Sequence, residues 1–386
     1  MIGGDARMGS VIEPLDREPA GLEEIPTPAA VVDLARLEAN LERMAGYART
    51  TGLELWPHTK THKSTAVARA QIRHGAAGLT VATVREAEVM SSAARDVLLA
   101  HPPVGPNKLE RLLRLAEDVR LTVAVDSEEA LARASAAASA ADHEIGVLIE
   151  LDVGMRRVGI GDPGAAAALA ARAQESAGIA YRGIMYYPGH IREPVEEQAP
   201  ALARLRTDLS AFVDALERAG VGAPRVVSGG STPTAFQSHE VGPLTAFRPG
   251  TYVYNDRTTA AIGACRWEDC AYTVLATVVS TAVSGQAVVD AGSKALSREE
   301  LRADRGEDRP AGYGALVDRP EVIVKAVSEE HGLLDLTSTS WRPRIGEHVR
   351  IVPNHVCVSV NLHTEVWALD GEEVKPGWPI AARGWI

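Results

Sequence analysis

The sequence predicts an α/β protein in which a (β/α)8 barrel of the TIM type is joined to a C-terminal, mostly β domain. At 386 residues the chain is longer than one ordinary domain requires. Short apolar runs alternate with helical patterns between about residues 53 and 250, which is typical of a parallel sheet covered by helices. After residue 257 the pattern changes to strands separated by Gly, Pro and Asp turns. We therefore predict a poorly ordered leader at residues 1–24, the barrel at 25–257 and the β domain at 258–386.

Eight apolar runs have the length and spacing of barrel strands, although an open doubly wound sheet would show the same alternation. These runs are Leu53–Pro57, Gly78–Ala82, Asp96–Ala100, Leu121–Val125, Gly146–Leu151, Arg182–Tyr187, Arg225–Ser228 and Leu244–Pro249. Helix signals lie between most of them. Thr83 and Glu86 have the spacing of a capping box, and Pro163 follows Asp162 at a predicted helix start. Residues 229–243 are the exception, because they are rich in Gly, Ser and Pro and are not clearly helical.

The second domain is predicted from runs rich in β-branched residues. Its strands are Tyr272–Val283, Gln286–Asp290, Val322–Val327 and His348–Val352. Residues 28–33 are expected to add a strand to this domain, and Leu34–Ala48 to form a helix ahead of the first barrel strand. Residues 297–314 are charged and Gly-rich, and we expect them to form a mobile loop.

The composition of the chain argues against some classes of binding partner. The formal net charge of −11 argues against nucleic acid, because binding to its backbone needs basic surface patches. No apolar run reaches the roughly 18 residues that a membrane span needs. The three cysteines, Cys265, Cys270 and Cys357, are too few for a disulfide framework and indicate a reducing cytoplasm. We therefore expect a cytoplasmic protein whose partner is a small molecule.

Polar residues follow five of the predicted barrel strands, at the ends where such barrels place their catalytic groups. The first such segment contains Lys60, next to His58, His62 and Lys63. Only six of the 40 Lys and Arg residues are lysine, so a lysine at this position is unusual. Neighbouring cations and desolvation favour the neutral amine of a lysine, which is a nucleophile. Lys60 is therefore either a catalytic amine or an ordinary surface lysine.

Two other segments could bind ligands. Gly229-Gly230-Ser231-Thr232 follows the seventh strand, and its glycines, hydroxyls and N–H groups could hold a phosphate, although a plain turn has the same composition. His355 and Cys357 lie two positions apart in a segment predicted to be a strand, so their side chains would converge. Imidazole and thiolate together suit zinc. A buried cysteine beside a structural histidine is the alternative.

Ten motifs, in order along the chain, make the sequence resemble the D-serine dehydratase and D-threonine aldolase family. The motifs are Thr27-Pro28-Ala29 with Val32-Asp33, Pro57–Lys63, Ala82–Glu88, Asp152–Gly159, Tyr187–His190, Ser228–Pro233, Arg248–Tyr252, Asp290–Lys294, Glu330–Gly332 and Pro353–Cys357. The family shares the barrel of alanine racemase and of other fold-type III pyridoxal-phosphate enzymes. The leader through Leu22 matches nothing in the family, and Pro188 departs from its Tyr-x-Gly-His pattern.

The resemblance implies that the chain binds pyridoxal 5'-phosphate. Lys60 would carry the cofactor, and Arg157 and Tyr187 would lie beside its ring. The remaining cofactor-binding residues would form a phosphate cradle; they are Gly230, Ser231, Thr232 and Tyr254. The resemblance also implies a divalent metal held by His355 and Cys357, with zinc expected and manganese as the alternative. We expect a homodimer, because the mouths of such barrels are often completed by a partner subunit.

The function implied is that of a pyridoxal-phosphate- and metal-dependent lyase acting on D-β-hydroxy amino acids. Members of the family with His-x-Cys at the metal tend to be dehydratases, whereas aldolases show His-x-Asp. Cys357 therefore favours a D-serine or D-threonine dehydratase that releases a keto acid and ammonia. A D-threonine aldolase, with a base such as His190 and with glycine and an aldehyde as products, is the alternative. An amino-acid racemase and a non-catalytic pyridoxal-phosphate carrier are lesser alternatives.

Overall fold

The structure is a computed structural model that describes residues 19, 21–105, 107–115, 119–301 and 312–384. Most of the predicted leader and residues 302–311 of the predicted loop lie outside the described residues. Leu22–Glu24 forms a short 3₁₀ turn, and the side chain of Ile25 is buried behind it.

The first regular elements are strand β1 (Ala29–Asp33) and helix α1 (Leu34–Thr51). The helix begins at Asp33, whose carboxylate accepts a hydrogen bond from the N–H of Arg36 at 3.0 Å. It ends at Gly52, which has a φ of 72° in the left-handed region that glycine adopts readily. The predicted helix at this position is therefore confirmed.

Eight parallel strands form the wall of a barrel. They are β2 (Glu54–Leu55), β3 (Leu79–Val81), β4 (Asp96–Leu99), β5 (Arg120–Val125), β6 (Ile145–Leu151), β7 (Ile179–Tyr186), β8 (Val226–Gly229) and β9 (Ala246–Phe247). Their order is β2-β9-β8-β7-β6-β5-β4-β3, and a parallel bridge between His58 and Thr80 joins the two ends. Each predicted run overlaps one of these strands. The predicted barrel is therefore confirmed, and the alternative of an open doubly wound sheet is wrong.

In the part of the chain that the structure describes, seven helices follow the strands of the barrel. They are α2 (Thr65–Arg73), α3 (Val84–Met90), α4 (Lys108–Leu113), α5 (Glu128–Ala140), α6 (Pro163–Glu175), α7 (Ala199–Arg218) and α8 (Arg257–Ala261). Thr83 caps α3 as predicted, but the capping box is not reciprocal, because the Glu86 carboxylate accepts from the N–H of Ala82 instead. Residues 229–243 contain no α-helix; Ala235–Val241 forms a 3₁₀ helix.

The interior of the barrel is filled by side chains from alternate positions of its strands. Leu98, Ala124, Leu148 and Met185, from β4 to β7, form a cluster of their own. Their sequence neighbours, such as Ile149, point the other way and pack with the helices in the large core. This alternation is expected of a closed barrel, whose lumen is a packed core. It leaves the carboxyl ends of the strands as the place for a site.

A second, nine-stranded sheet contains the C-terminal strands and β1. Its remaining elements are β10 (Tyr272–Ser280), β11 (Gln286–Val289), α9 (Ser293–Leu296), β12 (Gly314–Leu316), β13 (Arg319–Val327), β14 (Gly332–Asp335), β15 (His348–Pro353), α10 (Val356–Leu362), β16 (Glu365–Asp370) and β17 (Glu373–Pro379). The order is β11-β14-β13-β12-β15-β10-β1-β16-β17, and β11 also pairs with β10, which closes six strands into a small barrel.

Strand β1 lies between β10, to which it is antiparallel, and β16, to which it is parallel. The prediction that residues 28–33 add a strand to the second sheet is therefore confirmed. The domain boundary drawn between residues 257 and 258 stays a prediction. Across the ranges that the structure describes, no helix combines the length and the apolar character needed to cross a bilayer.

Two isoleucines test this placement of the core. Ile149 on β6 is completely buried, whereas Ile345 is 69% exposed. We predict that Ile149→Ala lowers the free energy of unfolding by about 2–5 kcal/mol, because it leaves a cavity between the barrel wall and its helices. The same substitution at Ile345 should cost about 0.5 kcal/mol or less. Chemical denaturation of both variants measures the difference, and equal unfolding midpoints would contradict the assignment of Ile149 to the core.

Candidate active site

Lys60 lies in a 3₁₀ turn, Thr59–Thr61, that directly follows the first barrel strand. This Lys60 turn is anchored on both sides: the Thr59 hydroxyl donates to the carbonyl of Thr80 at 3.1 Å, and the N–H of Lys60 donates to Nδ1 of His58 at 3.5 Å. Burial, with Lys60 and Arg248 nearby, holds the pKa of His58 well below its usual value. The imidazole is therefore neutral and can accept this hydrogen bond.

The ring of Tyr187 lies close to two basic side chains, Lys60 and Arg157. Nζ of Lys60 is 5.4 Å from the ring centroid, and Cζ of Arg157 is 5.3 Å from it. Both distances are within the range of cation–π attraction. The structure thus brings together three residues that the sequence analysis selected, from the loops after β2, β6 and β7.

A buried charged pair near the carboxyl ends of the barrel strands was missed by the sequence analysis. Glu150 on β6 is 3% exposed, and Arg248 after β9 is 5% exposed and donates to the carbonyl of Tyr186 at 2.6 Å. Burial raises the pKa of Glu150 and lowers the pKa of Arg248, and each partner opposes the shift of the other. Nε of Arg248 and Oε2 of Glu150 have no hydrogen-bond partner within the described ranges. Both atoms are therefore buried polar groups without a protein partner in this part of the chain.

The sequence contained a signal for this pair. Glu150 is the one charged residue within the apolar run Gly146–Leu151, and a carboxylate in such a run is rarely buried unless it is paired.

The phosphate cradle predicted at Gly230, Ser231 and Thr232 has the geometry of an anion site. Gly230 has a φ of +83°, and a Cβ placed there would lie 2.5 Å from the ring of Phe247, so the backbone needs glycine. Within the described part of the chain, none of the three N–H groups donates to a protein acceptor. Unpaired N–H groups on a left-handed turn attract anions, and a phosphate fits this arrangement.

Tyr254, the fourth residue predicted for the cradle, lies between β9 and α8. Its side chain is completely buried, and burial raises the pKa of its hydroxyl. The ring packs 5.7 Å from that of Tyr272 on β10, and the hydroxyl lies beside Trp378 on β17. Its contacts thus lie with the second sheet, and its role in the cradle stays a prediction.

His355 and Cys357 do not lie in a strand, and that prediction is wrong. His355 is the extended N-cap residue of α10, with a φ of −138°, and Cys357 lies in the first turn of the helix. Val356, Ser359 and Val360 are buried, and this spacing of three and four residues is helical. The two side chains are nevertheless close enough for each to shift the pKa of the other.

Asp256 holds the imidazole of His355. Its Oδ2 is 3.0 Å from Nδ1 of His355 and also accepts from the N–H of Val356 at 3.2 Å. Its Oδ1 accepts from the N–H of Thr259 at 2.8 Å, as the N-cap of α8. A carboxylate on Nδ1 fixes the ring and leaves Nε2 for a metal. Sequence reasoning missed this role, because 99 positions separate the partners.

His355 and Cys357 form a candidate metal pair, and electrostatic contacts favour a thiolate at Cys357. Burial alone would raise the pKa of Cys357, but the charges on His355 and Lys60 and the hydroxyl of Thr61 outweigh it and lower the pKa to about 7. The pKa of His355 is raised well above its usual value, because Cys357 and Asp256 outweigh the opposing effect of burial. A thiolate is the form of cysteine that binds metals.

The hydroxyl of Thr61 connects the metal pair to the Lys60 turn. Its Oγ1 is 3.2 Å from Sγ of Cys357, and Oγ1 of Thr251 is 3.9 Å from the same sulfur. The residue next to Lys60 therefore touches a candidate metal ligand from the other domain.

His355 and Cys357 supply two ligands, which suits a metal ion whose other coordination positions are open to water or substrate. Among the described residues, no group of three or more His, Cys, Asp and Glu side chains could enclose an ion. One nitrogen and one sulfur donor suit zinc, and the remaining positions would be open to water or substrate.

His190 lies at the rim of the barrel. It is exposed, and its ring packs over Gly154, where an added Cβ would lie 3.1 Å from the ring. It lines a cleft of about 650 Å³ together with Glu193 and Arg204. No hydrogen bond or ring contact in the described ranges joins His190 to Lys60 or to the metal pair, and its catalytic role stays a prediction.

Comparisons with known proteins agree with the motifs. Residues 32–258 match the model of the alanine racemase N-terminal domain, and residues 271–369 match that of the serine dehydratase domain. The chain is 36% identical to D-threo-3-hydroxyaspartate dehydratase of Delftia sp. strain HT23 over 349 residues, which cover 86% of this chain and 91% of that protein. It is 30% identical to D-threonine aldolase of Arthrobacter sp. over 371 residues, which cover 94% of each.

Solved structures extend the likeness to both domains. D-threonine aldolase from Filomicrobium marinum has a TM-score of 0.84 at 34% identity, covering 95% of this chain and 98% of that one. The Delftia dehydratase has a TM-score of 0.85 at 32% identity, covering 95% and 100%. Its variants include a His-to-Ala exchange and, in a metal-free form, a Cys-to-Ala exchange two positions further on. The chain therefore belongs to the alanine racemase N-terminal domain family, in the group whose members carry a serine dehydratase domain after the barrel.

Proposed function

We propose that this chain is a pyridoxal-phosphate- and metal-dependent lyase that removes water from D-β-hydroxy amino acids such as D-serine and D-threonine. The products would be a keto acid and ammonia. The observation that carries the proposal is the contact between Thr61 and Cys357, whose Oγ1 and Sγ atoms are 3.2 Å apart. It brings the residue next to the candidate cofactor lysine against one member of the candidate metal pair, which supports a shared site. The relatives, which include a dehydratase and an aldolase for D-β-hydroxy amino acids, support the same class of reaction.

The cofactor would be held at its two ends. Lys60 would carry it, the N–H groups of Gly230, Ser231 and Thr232 would bind its phosphate, and Tyr187 would support its ring. When bound, pyridoxal phosphate withdraws electrons from the Cα of the substrate. Lys60 would then be the group whose Nζ accepts the Cα proton, because its Nζ lies 5.4 Å from the centroid of the Tyr187 ring that would support the cofactor. Arg157, on the same ring, adds positive charge that attracts the substrate carboxylate.

The metal would be held by Nε2 of His355 and Sγ of Cys357. A bound divalent metal polarises the β-hydroxyl of the substrate as a Lewis acid and assists its departure. Asp256 keeps the proton of His355 on Nδ1, which frees Nε2 for the metal. Thr61 donates to the sulfur and steadies the thiolate. The mixed nitrogen and sulfur donors favour zinc over manganese, which prefers oxygen ligands.

The identity of the second metal donor favours elimination over carbon–carbon cleavage. The Delftia relative is named a dehydratase, and its histidine and cysteine variants have the same two-position spacing as His355 and Cys357. An aldolase is the second candidate, since the Arthrobacter and Filomicrobium relatives carry that name. It would need a base for the β-hydroxyl proton. His190, the candidate for that base, is exposed at the rim, which weighs against this alternative.

We also propose that the chain is a cytoplasmic homodimer. All three cysteines are free, which suits a reducing compartment. The homodimer rests on the resemblance to barrel enzymes whose mouths are completed by a second subunit.

Product analysis tests the proposed reaction. We predict that the protein loaded with pyridoxal phosphate and zinc converts D-serine and D-threonine to keto acids and ammonia, with no reaction of the L-isomers. D-3-hydroxyaspartate belongs in the same assay, since relatives act on it. Glycine and an aldehyde as the main products would replace the dehydratase with the aldolase. The absence of both product pairs from every D-substrate would contradict the lyase proposal.

Covalent fixation of the cofactor tests the assignment of Lys60 as the residue that carries it. We predict that borohydride fixes pyridoxal phosphate on Lys60 of the wild-type protein, and that Lys60→Arg abolishes fixation, because a guanidinium stays protonated and cannot attack a carbonyl. Lys294→Arg is the matched control, since Lys294 is 66% exposed in the second domain. Peptide mass spectrometry locates the label. A labelled Lys60→Arg protein would contradict the assignment.

Zinc affinity tests the metal pair. We predict that Asp256→Asn weakens zinc binding about 10- to 100-fold by freeing the imidazole of His355. Cys357→Ala should cost more, because it removes one of two protein donors. Cys265→Ala is the control, since this thiol contacts Thr259 and not the metal pair. Competition with a chromogenic chelator measures the dissociation constants. Unchanged zinc affinity in Cys357→Ala would contradict the site.

A further inference from the structure

A chain of buried hydrogen bonds runs from the Lys60 turn to the phosphate cradle. His62, directly after the turn, has its Nε2 at 3.2 Å from Oε1 of Gln71. Nε2 of Gln71 donates to the hydroxyl of Tyr252 at 3.1 Å. The N–H of Tyr252 donates to Oγ1 of Thr232, in the cradle, at 3.0 Å. The chain therefore joins the two places that would hold opposite ends of the cofactor.

The direction of each hydrogen bond in this chain is fixed. Nδ1 of His62 accepts from the N–H of Ser64 at 3.1 Å, so the ring proton must lie on Nε2. Burial lowers the pKa of His62 to about 4, which keeps the ring neutral at ordinary pH. Nε2 of His62 consequently donates to Gln71, and the amide of Gln71 can point only one way. A chain with one allowed orientation defines positions more sharply than apolar contacts do.

The elements that carry the chain are neighbours in the barrel. The strands β2, β9 and β8 are adjacent, and they lead into the Lys60 turn, Tyr252 and the cradle respectively. Gln71 comes from α2, which follows the Lys60 turn. The side chains of His62 and Gln71 are 0% exposed, and that of Tyr252 is 3% exposed. Apolar side chains of the same shape could fill this space at little cost in stability, so a role in stability alone does not require the polar chain.

We propose that His62, Gln71 and Tyr252 are positioning residues that set the separation between the amine of Lys60 and the phosphate cradle. The proposal rests on the proposed function, since it presupposes that pyridoxal phosphate is held at both places. A ligand attached at both ends is bound well only if the two anchors are the right distance apart. Small displacements of such anchors are costly for binding and for catalysis.

Two variants test the role of this chain of hydrogen bonds. Tyr252→Phe removes one hydroxyl and leaves the amide of Gln71 unpaired, and Gln71→Met removes both links with little change of volume. We expect each to raise the dissociation constant of pyridoxal phosphate about tenfold, as the loss of a buried hydrogen bond can do. Absorbance titration of the cofactor-free protein measures this constant. We also expect kcat to fall with little change in KM for the D-amino acid, because the metal pair and Arg157 are untouched.

Tyr272→Phe is the matched control. It removes another fully buried hydroxyl, which hydrogen bonds to Ser359 at 3.0 Å in the second domain. It should lower thermal stability by a similar amount and leave cofactor affinity unchanged. If all three variants lose cofactor affinity equally, the effect is general destabilisation and the proposal is overturned.

Cofactor binding by the wild-type protein distinguishes a failure of the proposed function from a failure of this inference alone. If it fails to bind pyridoxal phosphate, the proposed function and this inference both fail. If the wild-type protein binds the cofactor and both Tyr252→Phe and Gln71→Met bind it as tightly, the inference alone fails. If Tyr252→Phe does not fold, Gln71→Met gives the same test, because it breaks the same chain.

Discussion

The hydrogen bond between the hydroxyl of Thr61 and the sulfur of Cys357 joins groups 296 positions apart, one from each domain. Thr61 is adjacent to Lys60, and Cys357 lies two residues from His355. The contact therefore brings the segment that carries Lys60 against a candidate metal ligand, in what we propose is one pocket. The pKa of the Cys357 thiol is lowered to about 7 against the effect of burial, chiefly by His355 and, from the barrel, by Lys60 and the hydroxyl of Thr61.

Buried polar groups of two kinds surround this pocket. The first kind is fully paired, as in the chain from His62 to Tyr252, and it fixes the geometry of the anchors. The second kind has an atom without a hydrogen-bond partner in the described ranges, as Glu150 and Arg248 do near the carboxyl ends of the barrel strands. An unpaired buried polar atom is costly unless a ligand or water satisfies it.

Local patterns predicted most of the fold, because the signals that specify strands and helices lie within a few residues. Apolar runs located all eight barrel strands, and residues 28–33 were correctly expected to join the second sheet. The segment that contains Cys357 was predicted to be a strand, and its valines have a β preference. Val356, Ser359 and Val360 are buried at helical spacing instead, so packing against the barrel overrides the β preference of valine.

The site was predictable only in part, because its partners meet through the fold. Lys60, Arg157 and Tyr187 were expected together from their strand ends, and they meet in the structure. The carboxylate of Asp256 was not connected to His355, and no local pattern links residues so far apart.

The most direct test of the shared pocket is anomalous diffraction at the zinc edge from crystals of the protein loaded with pyridoxal phosphate and zinc. The account predicts one strong zinc peak bonded to Nε2 of His355 and Sγ of Cys357. It also predicts continuous density from Lys60 to a cofactor whose phosphate lies on Gly230, Ser231 and Thr232. Zinc bound elsewhere, or a cofactor attached away from Lys60, would contradict the claim that one pocket holds both.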